Sequence, residues 1–511
     1  MTQQLGHAAK LTRTWDVSHL EWLSRPRTDI VAETRSESDG DALVFTQSHG
    51  PFSAYTRTVT TSDGHLVEAV DYRLSIPWFR WLFGPLTRRH LASRRPGDEL
   101  PLPRWAPPDR LDARQTQLLG LLAAASLLTA FVNTLFTQTV AFVADDFGVG
   151  DWGRGIAGTV VRVGIILSFP AAFLADRIGR RRVVVVLAWA APCVAAVGAI
   201  APNFATVVAT QALGRPLGLA LDLLIAVIAA EEMPRNSRAY AVSILAMANG
   251  LGAGVAVVAL PLADIGESGW RFIYLLSFVW LAVAVDITRR LPETRRFEWH
   301  MADTSADSSP PLQRRRLATQ MAVAFFGNLL LSPASFFQNS FLKDERGFSA
   351  GMVAVFTLVT ATPAVVGLVI GGRMADNRGR RRLAVVCAPV GGLLIASSFV
   401  WHGPPMWIGG IAGAIVAATA YPPLAVYRTE LFPTANRGRA AYLILASALI
   451  GGSMSLLLTG ALVDNGVDYG TVMMALVIGP LMVSAIVWRT YPETAHRELE
   501  DLNPEDHRLP S

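Results

Sequence analysis

The sequence has little charge and little cysteine for its length. Only 17% of its 511 residues are charged and 51% are hydrophobic, whereas about a quarter of the residues in soluble globular domains are charged. The two cysteines, Cys193 and Cys387, lie inside apolar runs, which excludes a disulfide framework. The formal net charge is +5 and the arginines lie in short groups, so no concentrated nucleic-acid-binding face is expected. These shortages favour a membrane protein.

Motifs for ATP-driven transport and for metal-dependent catalysis are also missing. The sequence has no phosphate loop of the Gly-x-x-x-x-Gly-Lys-Ser/Thr type and no His-Glu-x-x-His pair. Its histidines fall mainly in the polar parts of the chain. We therefore expect neither an ATP-driven pump nor an enzyme, with no cofactor and no metal.

Three motifs occur twice, in the same order and at nearly the same spacing. Asp-Arg-Ile-Gly-Arg-Arg-Arg at 176–182 returns as Asp-Asn-Arg-Gly-Arg-Arg-Arg at 376–382. A Glu-x6-Arg pair between 231 and 238 returns between 430 and 437, and Pro-Glu-Thr at 292 returns at 492. Such agreement indicates a duplicated unit.

These motifs resemble the loop signatures of the major facilitator superfamily, in its sugar-porter-like and general-substrate (metabolite:proton symporter) branches. The resemblance implies an all-α membrane protein of twelve transmembrane helices, arranged as two six-helix repeats that rock about a central site. It also implies that the repeated motifs form a cytoplasmic gate. The expected gate residues are Asp176, Arg177, Gly179, Arg180, Arg181, Glu231, Arg238, Asp376, Gly379, Arg380, Arg381, Glu430 and Arg437. The alternative is that the arginines only set membrane topology.

Hydropathy predicts six spans in each half of the chain, since a span needs about 20 apolar residues. The predicted spans are 117–144, 155–175, 183–201, 204–229, 240–263 and 270–288, then 317–342, 351–374, 383–401, 405–428, 439–462 and 469–489. We divide the chain into an N-terminal extension (1–115), two halves (116–290 and 317–490), a linker (291–316) and a tail (491–511). The arginine-rich loops share one side, so the positive-inside rule predicts a cytoplasmic-membrane protein with both termini cytoplasmic.

The N-terminal extension is polar and differs in character from the rest. Alternating side chains over 66–76, preceded by Ser-Asp-Gly at 62–64, predict a hairpin with 55–61. The aromatic run at 78–83, followed by arginines, is typical of a helix in the cytoplasmic headgroup region. The region is either a small α/β domain or a partly ordered tail.

Charges inside the spans indicate a substrate and proton site. Arg162 lies in helix 2, while Arg215 and Asp222 lie seven residues apart on helix 4, about 10 Å along one face. Three such charges facing lipid would cost roughly 8–10 kcal/mol, so they are expected to face a cavity or one another. Asp222 is the best candidate proton carrier, and two arginines favour an organic anion. The alternative is a static Arg–Asp pair that braces helices 2 and 4.

By the same resemblance, helices 1, 4, 7 and 10 line the central cavity. Its expected polar residues are Asn133, Asn328, Asn339 and Tyr421. The sequence thus predicts a monomeric, proton-coupled secondary transporter of a small organic solute, whose partners are that solute, protons and the bilayer. A drug/proton antiporter remains an alternative, although helix 5 lacks the Gly-Pro-x-x-Gly-Gly element of that group. A sensor with the transporter fold is the other alternative.

Overall fold

The computed structural model describes most of the chain. The described residues are 9–36, 42–62, 64–96, 102–103, 105–168, 170, 174–175, 178–234, 237–293, 313–432 and 437–493. Asp176 and Arg177 of the first gate motif therefore lie outside the described residues, as do the side chains of Asp376, Glu430 and Arg437.

The membrane part is helical, as the spans predict. Within the described residues, eleven helical segments are long and apolar enough to cross a membrane, and some of them, such as Trp270–Arg290 and Tyr469–Thr490, comprise consecutive helices. The helices of the first half are α3 (Ala113–Asp146), α4 (Asp151–Val163), α5 (Arg180–Val197), α6 (Phe204–Glu232), α7 (Arg238–Val258), α8 (Trp270–Leu275) and α9 (Leu281–Arg290). Those of the second half are α10 (Arg314–Ser340), α11 (Ala350–Ala361), α12 (Ala364–Arg378), α13 (Arg380–Ser398), α14 (Pro404–Glu430), α15 (Arg437–Asp464), α16 (Tyr469–Leu476) and α17 (Ile478–Thr490). The predicted second span is described only in part, as α4 and a 3-10 turn at Gly164–Ser168.

The repeated motifs build the same helix start twice. Gly179 and Gly379 precede α5 and α13 with φ of +101° and +96°, a conformation that favours glycine. The following backbone is capped by the Pro-Glu-Thr glutamates: the N–H of Arg181 donates to Glu293 (3.1 Å), and that of Arg380 to Glu493 (2.8 Å). Because carboxylates stabilise helix N-termini, each Pro-Glu-Thr segment ties the end of its half to the start of that half's third span.

The N-terminal extension folds as an antiparallel sheet with the strand order β1-β5-β4-β3-β2. The strands are β1 (Ala9–Asp16), β2 (Ala32–Ser36), β3 (Leu43–His49), β4 (Phe52–Ser62) and β5 (His65–Leu74). The predicted hairpin is present, with Thr60 opposite Val67. A short helix α1 (Leu20–Leu23) and the helix α2 (Arg80–Ala92) complete the extension.

Charged side chains are buried inside this extension. Arg57 is fully buried and pairs with Glu33 at 2.7 Å and with Glu68 at 3.5 Å. Near α2, burial alone would raise the pKa of Asp29, but its contacts with His90 and Arg27 outweigh burial and hold that pKa well below its ordinary range. Paired and hydrogen-bonded charges of this kind belong to a folded interior, since an unpaired buried charge is very costly.

The extension packs on the first half of the membrane part. The Trp78 indole donates to Asp286 of α9 (3.1 Å), and the backbone N–H of Asp109 donates to Ser237 (2.9 Å). Tyr240 at the start of α7 donates to the carbonyl of Trp105 (3.0 Å). The apolar core of the extension also continues into α3 and α7. These contacts lie on the face that carries Gly179 and Gly379, hereafter the motif face.

Candidate functional site

An ionic cluster joins the two halves on the face opposite the motifs. Arg154 of α4 is 5% exposed and contacts Asp151 (3.1 Å) and Asp344 of the second half (2.6 Å). It also pairs with Asp145, which in turn pairs with Lys343 of the second half. We call these five residues the Arg154 cluster. Neither Arg154 nor Lys343 belongs to a repeated motif, so the sequence did not predict them as partners of these acids.

Further contacts join the halves beside this cluster. Asp264 accepts from the backbone N–H groups of Ala350 (2.8 Å) and Gly351 (2.9 Å), at the start of α11. Asn339 of α10 is 2% exposed and donates to the side chain of Gln138 (2.9 Å). Asn339, expected in the central cavity, therefore lies in the contact between the halves.

On the motif face, several gate residues contact groups of their own half. Arg180 pairs with Glu231 of the same half. Arg181 donates to the carbonyls of Leu291 (2.7 Å) and Thr288 (2.9 Å), also in the first half. Arg238 is exposed. Arg381 of the second half contacts the carbonyl of Trp488.

Two arginines face the centre of the membrane part. The Arg162 guanidinium donates to Asn328 of α10 (2.7 Å), so α4 of the first half contacts the second half here. A Cβ on Gly452 of α15 would lie 2.5 Å from this guanidinium, so a larger residue at position 452 would clash with the Arg162 side chain. Arg215 is half-buried and lies within electrostatic range of Arg162. Within the described structure, the Nε atoms of both arginines are buried without a hydrogen-bond partner.

Asp222 lies apart from these arginines. Its carboxylate accepts from Thr129 of α3 (3.1 Å) and from Asn249 of α7 (3.3 Å). Among the described residues, no ion pair joins Asp222 to Arg215 or Arg162. The described structure therefore contains no Arg–Asp pair bracing the second and fourth spans, which are α4 and α6. Asn133 faces α6 between these charges, because a Cβ on Gly218 would lie 2.9 Å from its Oδ1.

A cavity of about 270 Å³ with a mixed polar and apolar lining lies between α10, α11, α13 and α14. Its polar lining includes Gln138 of the first half, with Ser335 and Gln338 of α10. Ser335 is seven residues from Asn328, about 10 Å along the helix. Tyr421 does not line this cavity and is 59% exposed. Small-molecule sites commonly combine such a polar lining with aromatic walls, here Phe341 and Phe356.

The fold and the site define a transporter with two helical halves, a contact between them on one face and polar groups at the centre. A comparison with family models places the chain in a family. The model of the Major Facilitator Superfamily matches residues 122–359 and again residues 317–508. The chain belongs to this superfamily, as the sequence motifs predicted. It is therefore a multi-pass membrane transporter of small molecules and not an enzyme.

Solved structures share the fold at low sequence identity. The inward open xylose transporter XylE from E. coli has a TM-score of 0.60 and 14% identity, covering 76% of this chain and 99% of that one. A point mutant of the nucleoside transporter NupG has a TM-score of 0.63 and 12% identity, covering 74% of this chain and 100% of that one. A bacterial homologue of the human lysosomal transporter Spinster has a TM-score of 0.60 and 17% identity, covering 77% of this chain and 98% of that one. That structure is inward-facing and occupied. No curated protein sequence matches.

Arg154→Met tests the contact between the halves. Loss of the guanidinium leaves Asp344 without its partner across the interface, so the opposite face should open more often. We expect labelling of a cysteine at position 339, from the opposite face, to become several-fold faster in vesicles.

The matched control is Arg271→Met, because Arg271 donates to carbonyls of its own half, those of Ala199 and Ala201. Equal labelling rates in the Arg154 variant and in the parent would contradict a closing role for the cluster.

Proposed function

We propose that the chain couples the movement of a small organic anion across the cytoplasmic membrane to that of protons. The observation that carries this proposal is the pair of central arginines, Arg162 and Arg215, which lie within electrostatic range of each other and have no acid partner among the described residues. An anion entering between them would supply hydrogen-bond acceptors and a compensating charge, whereas a neutral solute would supply only the first. The chain would act as a monomer, with its motif face towards the cytoplasm.

The proposed cycle follows from where the two halves touch. The Arg154 cluster and the contacts of Asp264 hold the halves together on the opposite face, which supports a conformation closed on that face. Substrate would reach Arg162 from the motif face and compete with Asn328 for its guanidinium. Because that contact joins the halves, bound substrate would change the free energy of rocking, as alternating access requires.

Asp222 is the proposed proton carrier. It is a half-buried carboxylate within a span, and its described partners, Thr129 and Asn249, are neutral. A carboxylate without a cationic partner in a low-dielectric site favours protonation more than a paired one does. This arrangement suits a group that takes up a proton in one conformation and releases it in the other.

A substrate screen tests the anion proposal directly. We expect the ligands that raise the melting temperature of the purified protein to be organic acids rather than their neutral amides, because bound ligand stabilises by mass action. Arg215→Gln should remove most of that shift, while Arg215→Lys, which keeps the charge, should retain part of it. Stabilisation by neutral compounds alone, unchanged in Arg215→Gln, would refute the anion assignment.

Asp222→Asn tests the coupling. The substitution keeps the hydrogen bonds but removes the titrating group, so accumulation driven by a pH difference should be abolished while exchange down a substrate gradient continues. Uptake into proteoliposomes with and without an imposed pH difference measures both. Asp286→Asn is the control, since Asp286 lies at the end of α9 and pairs with Arg290. Accumulation driven by the pH difference in the Asp222 variant would disprove the proton role.

We also propose that the repeated motifs form a gate on the motif face. The Arg180–Glu231 pair supports this, because it links the motif loop to the end of α6. Asp176→Asn should slow transport several-fold without reducing insertion, and should increase labelling of a cavity cysteine from the motif face. Asp468→Asn is the control, as Asp468 caps its own helix through Thr471 (2.7 Å). Normal turnover and unchanged labelling would leave the motif with a topological role only.

A further inference from the structure

An apolar cleft separates the N-terminal extension from the membrane helices. Two adjacent cavities of about 80 and 30 Å³ form it, and they share Ile76, Phe83, Leu119 and Ile244. The extension contributes one wall, including Leu74 and Leu82. The other wall belongs to α3 and α7, so the cleft runs from the extension into the membrane part.

The interior of this cleft is suited to hydrocarbon rather than to water. Arg110 and Tyr240 direct their polar ends elsewhere, since Arg110 donates to the carbonyl of Asp29 (2.6 Å) and Tyr240 to that of Trp105 (3.0 Å). Thr87 and Thr116 add only their hydroxyls to the polar lining. A buried water needs two to four polar partners, whereas apolar cavities stay dry and take apolar ligands.

One end of the cleft opens towards the bilayer. Its lining there includes Trp81, Met247 and Leu251, which are 72%, 56% and 54% exposed. Met247 and Leu251 belong to a candidate membrane span, Tyr240–Ile265. A chain from the surrounding lipid could therefore enter the cleft without crossing water.

The helix above this opening is positively charged. Arg80, Trp81 and Arg88 are exposed and lie on one face of α2, since positions eight apart fall within about 80° of each other on a helix. Arginine beside an exposed tryptophan suits the headgroup layer, where guanidinium groups bind phosphate and the indole lies at the membrane boundary.

We propose that the cleft holds an acyl chain of an anionic phospholipid, with the phosphate bound by Arg80 and Arg88. The lipid would fill the space between the extension and the pair α3 and α7. It would thereby join the extension to the bilayer and to the first half at once. This proposal does not depend on the transported substrate or on proton coupling.

Lipid binding to the full-length purified protein tests the proposal. After removal of bound lipid, the protein is titrated with phosphatidylglycerol or phosphatidylcholine in mixed micelles, and adducts are counted by native mass spectrometry. We expect phosphatidylglycerol to be retained preferentially. Ile244→Trp, which fills the part shared by both cavities, should weaken binding roughly tenfold, since each excluded methylene removes part of the chain's affinity.

The matched control is Val242→Trp, because Val242 lies on the same helix, is 52% exposed and lines neither cavity. Ala106→Phe fills the cleft from the side of the extension, so weaker lipid binding in this variant would not result from a packing defect in α7. Gel filtration checks that each variant is folded. Equal retention by the parent, Ile244→Trp and Ala106→Phe would overturn the proposal.

The headgroup is tested separately. Replacing Arg80 and Arg88 by Gln should remove the preference for phosphatidylglycerol while leaving phosphatidylcholine binding unchanged. The same double change at Lys10 and Arg35, both exposed on the edge strands of the sheet, is the control. Equal binding of both lipids by the parent protein would refute an anionic lipid, and binding of neither would refute a lipid altogether.

Discussion

The ionic cluster around Arg154 is the interaction on which the observed arrangement of the two halves depends. A buried guanidinium is stable only with partners, and Arg154 has acids on both sides of the interface. If the halves separate here, Arg154 keeps Asp145 and Asp151 in its own half. Lys343 would leave with Asp344, its neighbour in sequence. Neither half is then left with an uncompensated buried cation, so the cluster can close this face firmly and still permit opening.

The repeated motifs contain residues with two different roles, capping within one half and the proposed gate, which the sequence alone does not distinguish. The glutamates of the Pro-Glu-Thr segments cap α5 and α13, and each cap lies inside one half. They therefore fix the shape of each half and do not need to break when the halves rock. The Arg180–Glu231 pair links two loops that the rocking motion would carry past the other half. The proposed gate role accordingly falls on Arg180 and Glu231, and a structural role on the motif glycines and the Pro-Glu-Thr glutamates.

The helices were predictable because bilayer thickness fixes their length and the twofold motif repeat fixes their grouping. The hairpin of the extension was predictable because alternation and a turn are local signals. The pairing of β1 with β5 was not, since these strands lie far apart in sequence. The pairing of Arg154 with Asp344 was equally unpredictable, because Asp344 is 190 residues away and belongs to no repeated motif. The contact of Asn339 with Gln138 was not predictable either, because helical spacing gives the face of α10 on which Asn339 lies but not its partner in the other half.

The place of the extension limits what it can do during transport. The described anchors named above, through Trp78, Trp105 and Asp109, all contact the first half. The extension therefore moves with that half and leaves the rocking motion free. Two of these anchors contact Ser237 and Tyr240, and Gln115 donates to the carbonyl of Glu232 (3.3 Å), next to Glu231. Any shift of the extension would thus reach Glu231, the partner of Arg180, so the extension can influence the proposed gate rather than the central site.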